Sequence, residues 1–121
     1  MIIDVLKQFS SIIRNYQIDK FRTFESAHEI IGKIVFIDNS ELIFRDYLFS
    51  DSIRKYSFHW QRDSECVIRW DNAPHHQEVV TFPHHKHSGN VEQISDSEPM
   101  TLKKTLTFIS AKLNEFMGHH T

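Results

Sequence analysis

The sequence predicts an α+β fold in which a single antiparallel sheet is packed on one face by an N-terminal and a C-terminal helix. Two observations lead to this prediction. Apolar residues recur at helical spacing at the two ends of the chain, whereas β-branched and aromatic residues dominate the stretch between them. The 121 residues suffice for one domain of ordinary size and are few for two. We therefore expect residues 1–121 to form a single domain.

The composition is that of an ordinary globular protein. Hydrophobic residues make up 40% of the chain and charged residues 25%, which argues against a disordered protein. A formal net charge of −2 excludes a broadly basic surface, so any contact with a polyanion must be local. The single cysteine, Cys66, excludes an internal disulfide framework. Without a signal-peptide pattern or a long apolar run, the sequence predicts a cytoplasmic protein that makes no membrane contact.

The first predicted element is an amphipathic helix over residues 1–17. Apolar residues repeat there at intervals of four and three, namely Ile2, Leu6, Phe9, Ile13 and Tyr16. The next stretch, residues 18–32, is ambiguous between a short helix and an early strand. We expect Gly32 to end it, because glycine often terminates regular elements.

From Lys33 onwards the pattern becomes that of paired strands. The runs "KIVFI" and "ELIFRDYLF" flank the polar turn "DNS", which predicts a hairpin. A second hairpin is predicted from "KYSFHWQ" and "CVIRWDN", with its turn at residues 62–65.

The remaining elements follow the second hairpin. Strands are predicted for "EVVTF", for "HKH" beyond Pro83, and for "NVEQIS" as a short edge. The last helix is expected to begin at Pro99, since proline is tolerated in the first turn of a helix. Its apolar face consists of Leu102, Leu106, Ile109, Leu113 and Phe116.

The second hairpin predicts which side chains share a face of the sheet. In the register that groups the large apolar residues, the cross-strand pairs are Arg62–Cys66, Trp60–Ile68, Phe58–Trp70 and His59–Arg69. Side chains alternate along a strand, so His59 and Arg69 then lie together on the opposite, open face. Gln61 and Asp71 lie beside them.

Residues 69–87, "RWDNAPHHQEVVTFPHHKH", contain five of the chain's nine histidines. Three interpretations compete for them: a metal site, acid and base chemistry on a phosphodiester, or a polar loop without chemistry. The metal interpretation relies on His85 and His87, which one strand could aim at a single ion. The sequence contains no HExxH motif and no paired CxxC motif, so we expect no metal and no cofactor, and keep a His-ligated metalloenzyme as an alternative.

Phosphodiester cleavage needs a base, an acid and cations for the charge that develops on the phosphate. Histidine titrates in the range that suits the first two roles, and arginine presents donors that fit a phosphate. The candidate catalytic residues are His59, Arg69, Asp71, His84, His85, Lys86 and His87. The candidate substrate-binding residues are Gln61, His75, His76 and Tyr56, of which Tyr56 is expected to stack on an unpaired RNA base.

The interpretation without chemistry treats these residues as structural. A single histidine is more often a surface or structural residue than a catalyst, and Trp60 and Trp70 are more typical of a core than of a base-stacking platform. Six histidines between His59 and His87, beside Arg69 and Lys86, would however be costly to bury without partners. The clustering therefore favours a functional site.

The same segments resemble a known family. The runs "YSFHWQ", "IRWDNAPHH" and "TFPHHKH" closely resemble the signature of the TumE toxins of bacterial and archaeal toxin–antitoxin pairs, and "GKIVFIDNSELIFRDYL" resembles their leading strands. The resemblance spans about residues 30–117. Asn39 stands in the turn where glycine is frequent in the family, and asparagine also tolerates a positive φ.

The resemblance implies a toxin that blocks growth by cleaving RNA in association with the ribosome. It also implies a partner, a co-encoded helix-turn-helix antitoxin that holds the toxin inactive. Combined with the residue types above, it predicts a metal-independent endoribonuclease. A non-enzymatic module that binds RNA or protein through the same face is the other alternative, and a homo-oligomer is compatible with the sequence.

Overall fold

The elements of the protein follow one another along the chain as two terminal helices around a run of strands. A computed structural model describes residues 2–89 and 93–118, with the backbone alone for residues 116–118. The elements are α1 (Ile2–Gln8), β1 (Ile13–Phe24), β2 (Ala27–Phe36), β3 (Glu41–Leu48), β4 (Arg54–Arg62), β5 (Glu65–Asp71), β6 (His85–Ser88), β7 (Gln93–Asp96) and α2 (Leu102–Gly118). The seven strands form one antiparallel sheet in sequence order, which confirms the predicted α+β fold.

Both helices pack against the same face of the sheet. Alternate side chains of the central strands are buried there: Ile34, Phe36, Leu42, Phe44, Phe58, Trp60 and Trp70. The helices contribute Ile2, Leu6, Leu106, Ile109 and Leu113 to the same core. The ring of Phe108 meets the rings of Trp60 and Trp70 edge-on, at centroid distances of 6.4 and 5.3 Å. The outward residues of the strands are therefore available for polar chemistry on the other face.

The first helix is shorter than predicted. It ends at Gln8, and residues 13–24 form β1 instead of a second half of the helix. Ile12 is buried in the core, whereas Tyr16 is 47% exposed, so the apolar residues of this segment do not share one buried face. The backbone of β1 pairs with that of β2, and the hydrogen bonds between these two strands outweigh the helical spacing of the apolar residues.

The ambiguous segment is a hairpin, and Gly32 does not end it. β1 and β2 meet at a turn over residues 25–26, and Gly32 lies within β2, paired with Ile18 and Phe44. A Cβ on Gly32 would approach the Cζ of Phe44 to 2.9 Å and the carbonyl oxygen of Gln17 to 3.0 Å. Glycine is needed here because the Phe44 ring packs directly over the backbone.

Replacing Gly32 with Ala should destabilise the fold by about 1–3 kcal/mol, the usual cost of overpacking a core. The physical reason is the contact of the new methyl group with the Phe44 ring and the β1 backbone. Denaturant unfolding measures the change. In a Phe44→Leu background the cost of Gly32→Ala should be smaller, since the Cζ atom is gone. An equal cost in both backgrounds would contradict this explanation.

The β4–β5 hairpin confirms three of the four predicted pairs. Trp60 pairs with Ile68, Phe58 with Trp70 and His59 with Arg69. The predicted pairing of Arg62 with Cys66 is wrong. Arg62 pairs with Glu65 across a tight turn in which Asp63 and Ser64 both have positive φ. A bulge between Trp60 and Gln61 then shifts the register by one residue, so that Trp60 still pairs with Ile68. The bulge keeps the tryptophans on the core face despite the shorter turn.

The prediction of a strand at "EVVTF" is wrong. Residues 78–82 form turns, and Val80 is 90% exposed. The predicted strand beyond Pro83 is confirmed as β6, and the predicted edge strand corresponds to β7, although residues 90–92 lie outside the described part of the chain. Residues 72–84 therefore form a long loop, called here the histidine loop, which connects β5 to β6.

The C-terminal helix begins at Leu102, three residues later than predicted from Pro99. Thr101 caps it, because its Oγ1 accepts a hydrogen bond from the backbone N–H of Lys104 at 3.1 Å. Phe116, predicted on its apolar face, has a side chain outside the described residues. Within the described part of the chain, neither helix has the length and apolar character required to cross a membrane.

Candidate active site

The outward side chains of β3 to β6 form two rows across the open face of the sheet. The first row contains Ile43, His59, Arg69 and His87, and the second contains Arg45, Ser57, Asp71 and His85. Antiparallel pairing places each residue beside its neighbour in the row. Predicted residues that are far apart in sequence are therefore brought together on one face.

Asp71 lies at the centre of this polar group and is only 4% exposed. Its Oδ1 accepts a hydrogen bond from the backbone N–H of Ala73 at 3.0 Å and lies 3.0 Å from Nε2 of His85. Its Oδ2 lies 3.2 Å from Nε of Arg69 and 3.5 Å from Nε2 of His87. A buried carboxylate with so many donors is held in one position.

His85 is almost fully buried, at 1% exposure. Its Nδ1 lies 2.9 Å from the carbonyl oxygen of Pro83, and because a carbonyl can only accept, Nδ1 carries a hydrogen. The ring is thereby oriented so that Nε2 points at Asp71 and at Nε2 of His87, the latter at 3.1 Å. This nitrogen faces two atoms that can both act as acceptors.

The histidine loop folds back over the sheet and adds a third imidazole. The ring of His76 lies 4.8 Å from that of His85 and 5.5 Å from that of His87, between centroids. One ring nitrogen of each lies within 4.8 Å of the others. Nδ1 of His76 is 3.2 Å from Oε1 of Glu78, which helps to fix the ring. We call His76, His85 and His87 the histidine cluster.

His59 and Arg69 form the other half of the site. Burial lowers the pKa of the half-buried His59, the charge of Arg69 lowers it further, and a hydrogen bond that His59 donates to the side chain of Gln61 opposes these effects. His59 is therefore held in its neutral form near pH 7, in which it can accept a proton. The Arg69 side chain is 49% exposed, so its guanidinium can contact an anion from solvent.

Tyr56 and His84 lie elsewhere, on the core side of the sheet. Tyr56 is 4% exposed, so the prediction that it stacks on an RNA base is wrong. Its hydroxyl accepts a hydrogen bond from the backbone N–H of Met100 and lies 2.8 Å from Nδ1 of His84. The His84 ring stacks on the Tyr56 ring at 5.8 Å. The cause is the large apolar ring of Tyr56, which packs beside Phe58.

Two further predicted residues lie away from the cluster. Lys86 alternates with His85 and His87, pairs with Trp70, and lines the groove beside α2. It is therefore on the face opposite to Arg69. His75 is exposed on the histidine loop, at the rim of the site. Gln61 remains on the open face, next to His59, and its Nε2 donates to Glu41 at 3.2 Å.

Sequence pattern alone indicates neither the position of His76 nor the function of the Pro83 carbonyl. The pattern predicts His76 as a substrate-binding residue, whereas the structure packs its ring against those of His85 and His87. No sequence signal could have shown this, because the contact depends on how the loop folds back. The carbonyl of Pro83 follows only from the observed conformation next to β6.

Comparison with known proteins gives one result. A family model described as "Toxin TumE" matches residues 2–115, which is nearly the whole chain. Neither curated proteins nor solved structures gave a match. The matched range includes the seven described strands, both rows of the open face and the histidine loop. The chain belongs to the TumE toxin family.

Proposed function

We propose that this toxin is an endoribonuclease that arrests growth by cutting RNA at the open face of the sheet. The observation that carries the proposal is the row in which His59, Arg69 and His87 lie side by side across β4, β5 and β6. A base, a cation for phosphate and a second imidazole are the groups that phosphodiester cleavage needs. No added metal is required when the substrate's own 2′-hydroxyl attacks.

His59 is assigned the role of base. It removes the proton from the 2′-hydroxyl, whose oxygen then attacks the adjacent phosphorus. Because burial and the charge of Arg69 lower its pKa, His59 is neutral and ready to accept a proton at physiological pH. The products are a 2′,3′-cyclic phosphate on one fragment and a 5′-hydroxyl on the other.

Arg69 is assigned to the phosphate. Its guanidinium is exposed, yet Nε lies 3.2 Å from the buried carboxylate of Asp71, which limits its freedom. Nη1 and Nη2 can then donate to the two non-bridging oxygens, where negative charge increases in the transition state. This position lies between His59 and His87, as an in-line attack requires.

His87 is assigned the role of acid, with His85 and Asp71 as positioning residues. It donates a proton to the 5′-oxygen as the P–O5′ bond breaks. Asp71 and the buried His85 hold the His87 ring through contacts at 3.5 and 3.1 Å. His75 and Gln61, at the rim, are assigned to binding of the flanking nucleotides.

The partners follow from the family and from this chemistry. A toxin of this family implies a cognate antitoxin. We propose that the antitoxin is a helix-turn-helix protein and that the RNA is messenger RNA, cut on the ribosome in the cytoplasm. The overall charge of −2 disfavours strong binding to free RNA, and the ribosome would instead supply the substrate at high local concentration.

Incubation of purified protein with RNA, with and without ribosomes and with a chelator present, tests the proposal. We expect shortened fragments that end in a cyclic phosphate and persist in the chelator. RNA that is bound and stays intact in every condition would replace the endoribonuclease with a binding module. Loss of cutting in the chelator would overturn the metal-independent mechanism.

The cleavage rate should rise with pH to a maximum and then fall, because the base His59 must be neutral and the acid His87 must be protonated. Burial lowers the pKa of His87 as well, so the loss of its proton falls within the measured range. The base form of His59 is neutral, and burial and Arg69 place its pKa below the ordinary 6.5, so the midpoint of the rise should lie below that value. The measurement is kcat/KM between about pH 5 and pH 8. Gln61→Leu removes a hydrogen bond that raises this pKa, and should move the midpoint lower still. A midpoint above 6.5, or no response to Gln61→Leu, would remove His59 from the role of base.

A further inference from the structure

The donor atoms around Asp71 and the histidine cluster converge on one point. Nε2 of His85, Nε2 of His87 and the carboxylate of Asp71 are separated by 3.0, 3.1 and 3.5 Å. Ligand atoms of a tetrahedral zinc ion lie about 3.3 Å apart, because each bond is about 2.0–2.1 Å long. The spacing of these three donors is that of a set of metal ligands.

The hydrogen bonds of His85 point to the same conclusion. Its Nδ1 donates to the carbonyl of Pro83, which leaves a lone pair on Nε2 in the neutral ring. A backbone carbonyl on one ring nitrogen and a metal on the other is the usual arrangement of a ligating histidine. In the neutral ring the Nε2 lone pair would face a carboxylate oxygen at 3.0 Å in a buried site, so this contact needs a cation at Nε2, either a second ring proton or a metal ion.

His76 supplies the third imidazole from a different part of the chain. The histidine loop brings one of its ring nitrogens within 4.8 Å of those of His85 and His87. Nδ1 of His76 faces Glu78 at 3.2 Å, so Nε2 is the nitrogen that is available to an ion. His76 and His87 remain partly exposed, with 24% and 17% of their side chains accessible, so an ion can enter from solvent.

We propose that His76, His85 and His87 form a binding site for a divalent metal ion of the zinc type, with the carboxylate of Asp71 as a further ligand. Three neutral imidazoles and a nearby carboxylate suit a borderline-soft cation such as Zn²⁺ better than Mg²⁺ or Ca²⁺, which prefer oxygen ligands. The ion takes the place of the second ring proton at Nε2 of His85. The site shares His87 with the proposed acid, so an ion bound there would displace the proton that His87 donates and slow the proposed RNA cleavage.

Calorimetric titration of chelator-treated protein with Zn²⁺ tests the site, and the visible absorption of the Co²⁺-loaded protein reports its geometry. We expect one equivalent to bind tightly and the cobalt spectrum to be that of a four- or five-coordinate ion. His76→Asn and Asp71→Asn should each weaken binding at least about tenfold, because each variant removes a ligand of the ion.

His75→Asn is the matched control, since His75 is adjacent in sequence, exposed, and outside the cluster. His76 lies on a loop and is half-buried, so its replacement should leave the fold intact, which circular dichroism verifies. His119 and His120 are present in every variant, so their contribution cancels. Absence of tight binding, or equal effects of His75→Asn and His76→Asn, would overturn the site.

Measurement of RNA cleavage on the same samples separates this inference from the proposed function. Metal-free protein that cuts RNA supports the mechanism above, whatever the result of the titration. Protein that binds zinc and cuts RNA only when loaded would support the site and overturn the metal-independent mechanism. Protein that binds no zinc and cuts RNA would overturn the site alone.

Discussion

Replacing Arg69 with Ala should abolish the toxicity of the protein and leave its fold intact. The guanidinium is the cation assigned to the phosphate, and removing a group that stabilises transition-state charge typically slows catalysis by about 10²–10³-fold. The side chain is half exposed, so the free energy of unfolding should change by no more than about 1 kcal/mol. Growth of cells that express each variant measures toxicity, and denaturant unfolding measures stability.

The matched control is Arg22→Ala, which removes an exposed arginine from β1, at the far edge of the sheet. This variant should remain toxic. Arg69→Lys should retain weak activity, because lysine keeps the charge and loses the planar pair of donors. A soluble Arg69→Ala protein that is still fully toxic would exclude Arg69 from the mechanism.

Replacing Asp71 with Asn should lower kcat for RNA cleavage by at least about 10²-fold with KM nearly unchanged. The amide keeps the shape of the side chain but loses the negative charge that faces Arg69, His85 and His87. The two imidazoles then lose their common partner, and the acid is no longer held in position. Steady-state kinetics with RNA as substrate would give kcat and KM separately.

Asp46→Asn is a suitable control for this effect. Asp46 is also a partly buried carboxylate, and it accepts two hydrogen bonds from Arg54 at 2.9 Å. Its replacement should lower the free energy of unfolding. The kcat for RNA cleavage should not change at a temperature where the variant is folded. If both variants lost cleavage equally, the loss would reflect stability and not the positioning of His87.

Sequence pattern alone predicted the class of fold and the central hairpin. The alternation of Phe58, Trp60, Ile68 and Trp70 leaves one register in which all four are buried, and the structure has that register. His59 and Arg69 were therefore placed together correctly, because the hydrophobic side chains of the same strands determine which residues point outwards.

Turn geometry and long loops were predicted less well. A two-residue turn with a bulge and a three-residue loop give the same pairing of the tryptophans, so the burial pattern could not distinguish them. The run "EVVTF" has the residue types of a strand, yet it lies in the histidine loop, where Val80 is exposed. Residue preference for strands is weak and depends on the partners that a segment finds.

The sequence by itself determined that histidines, an arginine and a carboxylate occur on or next to adjacent strands, since alternation along a strand is a local property. Only the tertiary structure decided that His76 folds back onto His85 and His87, and that Asp71 is buried among them. It also placed Tyr56, His84 and Lys86 on the opposite face of the sheet. These contacts join segments through a loop and across strands. Their energies come from packing and burial of the whole chain, which no local pattern contains.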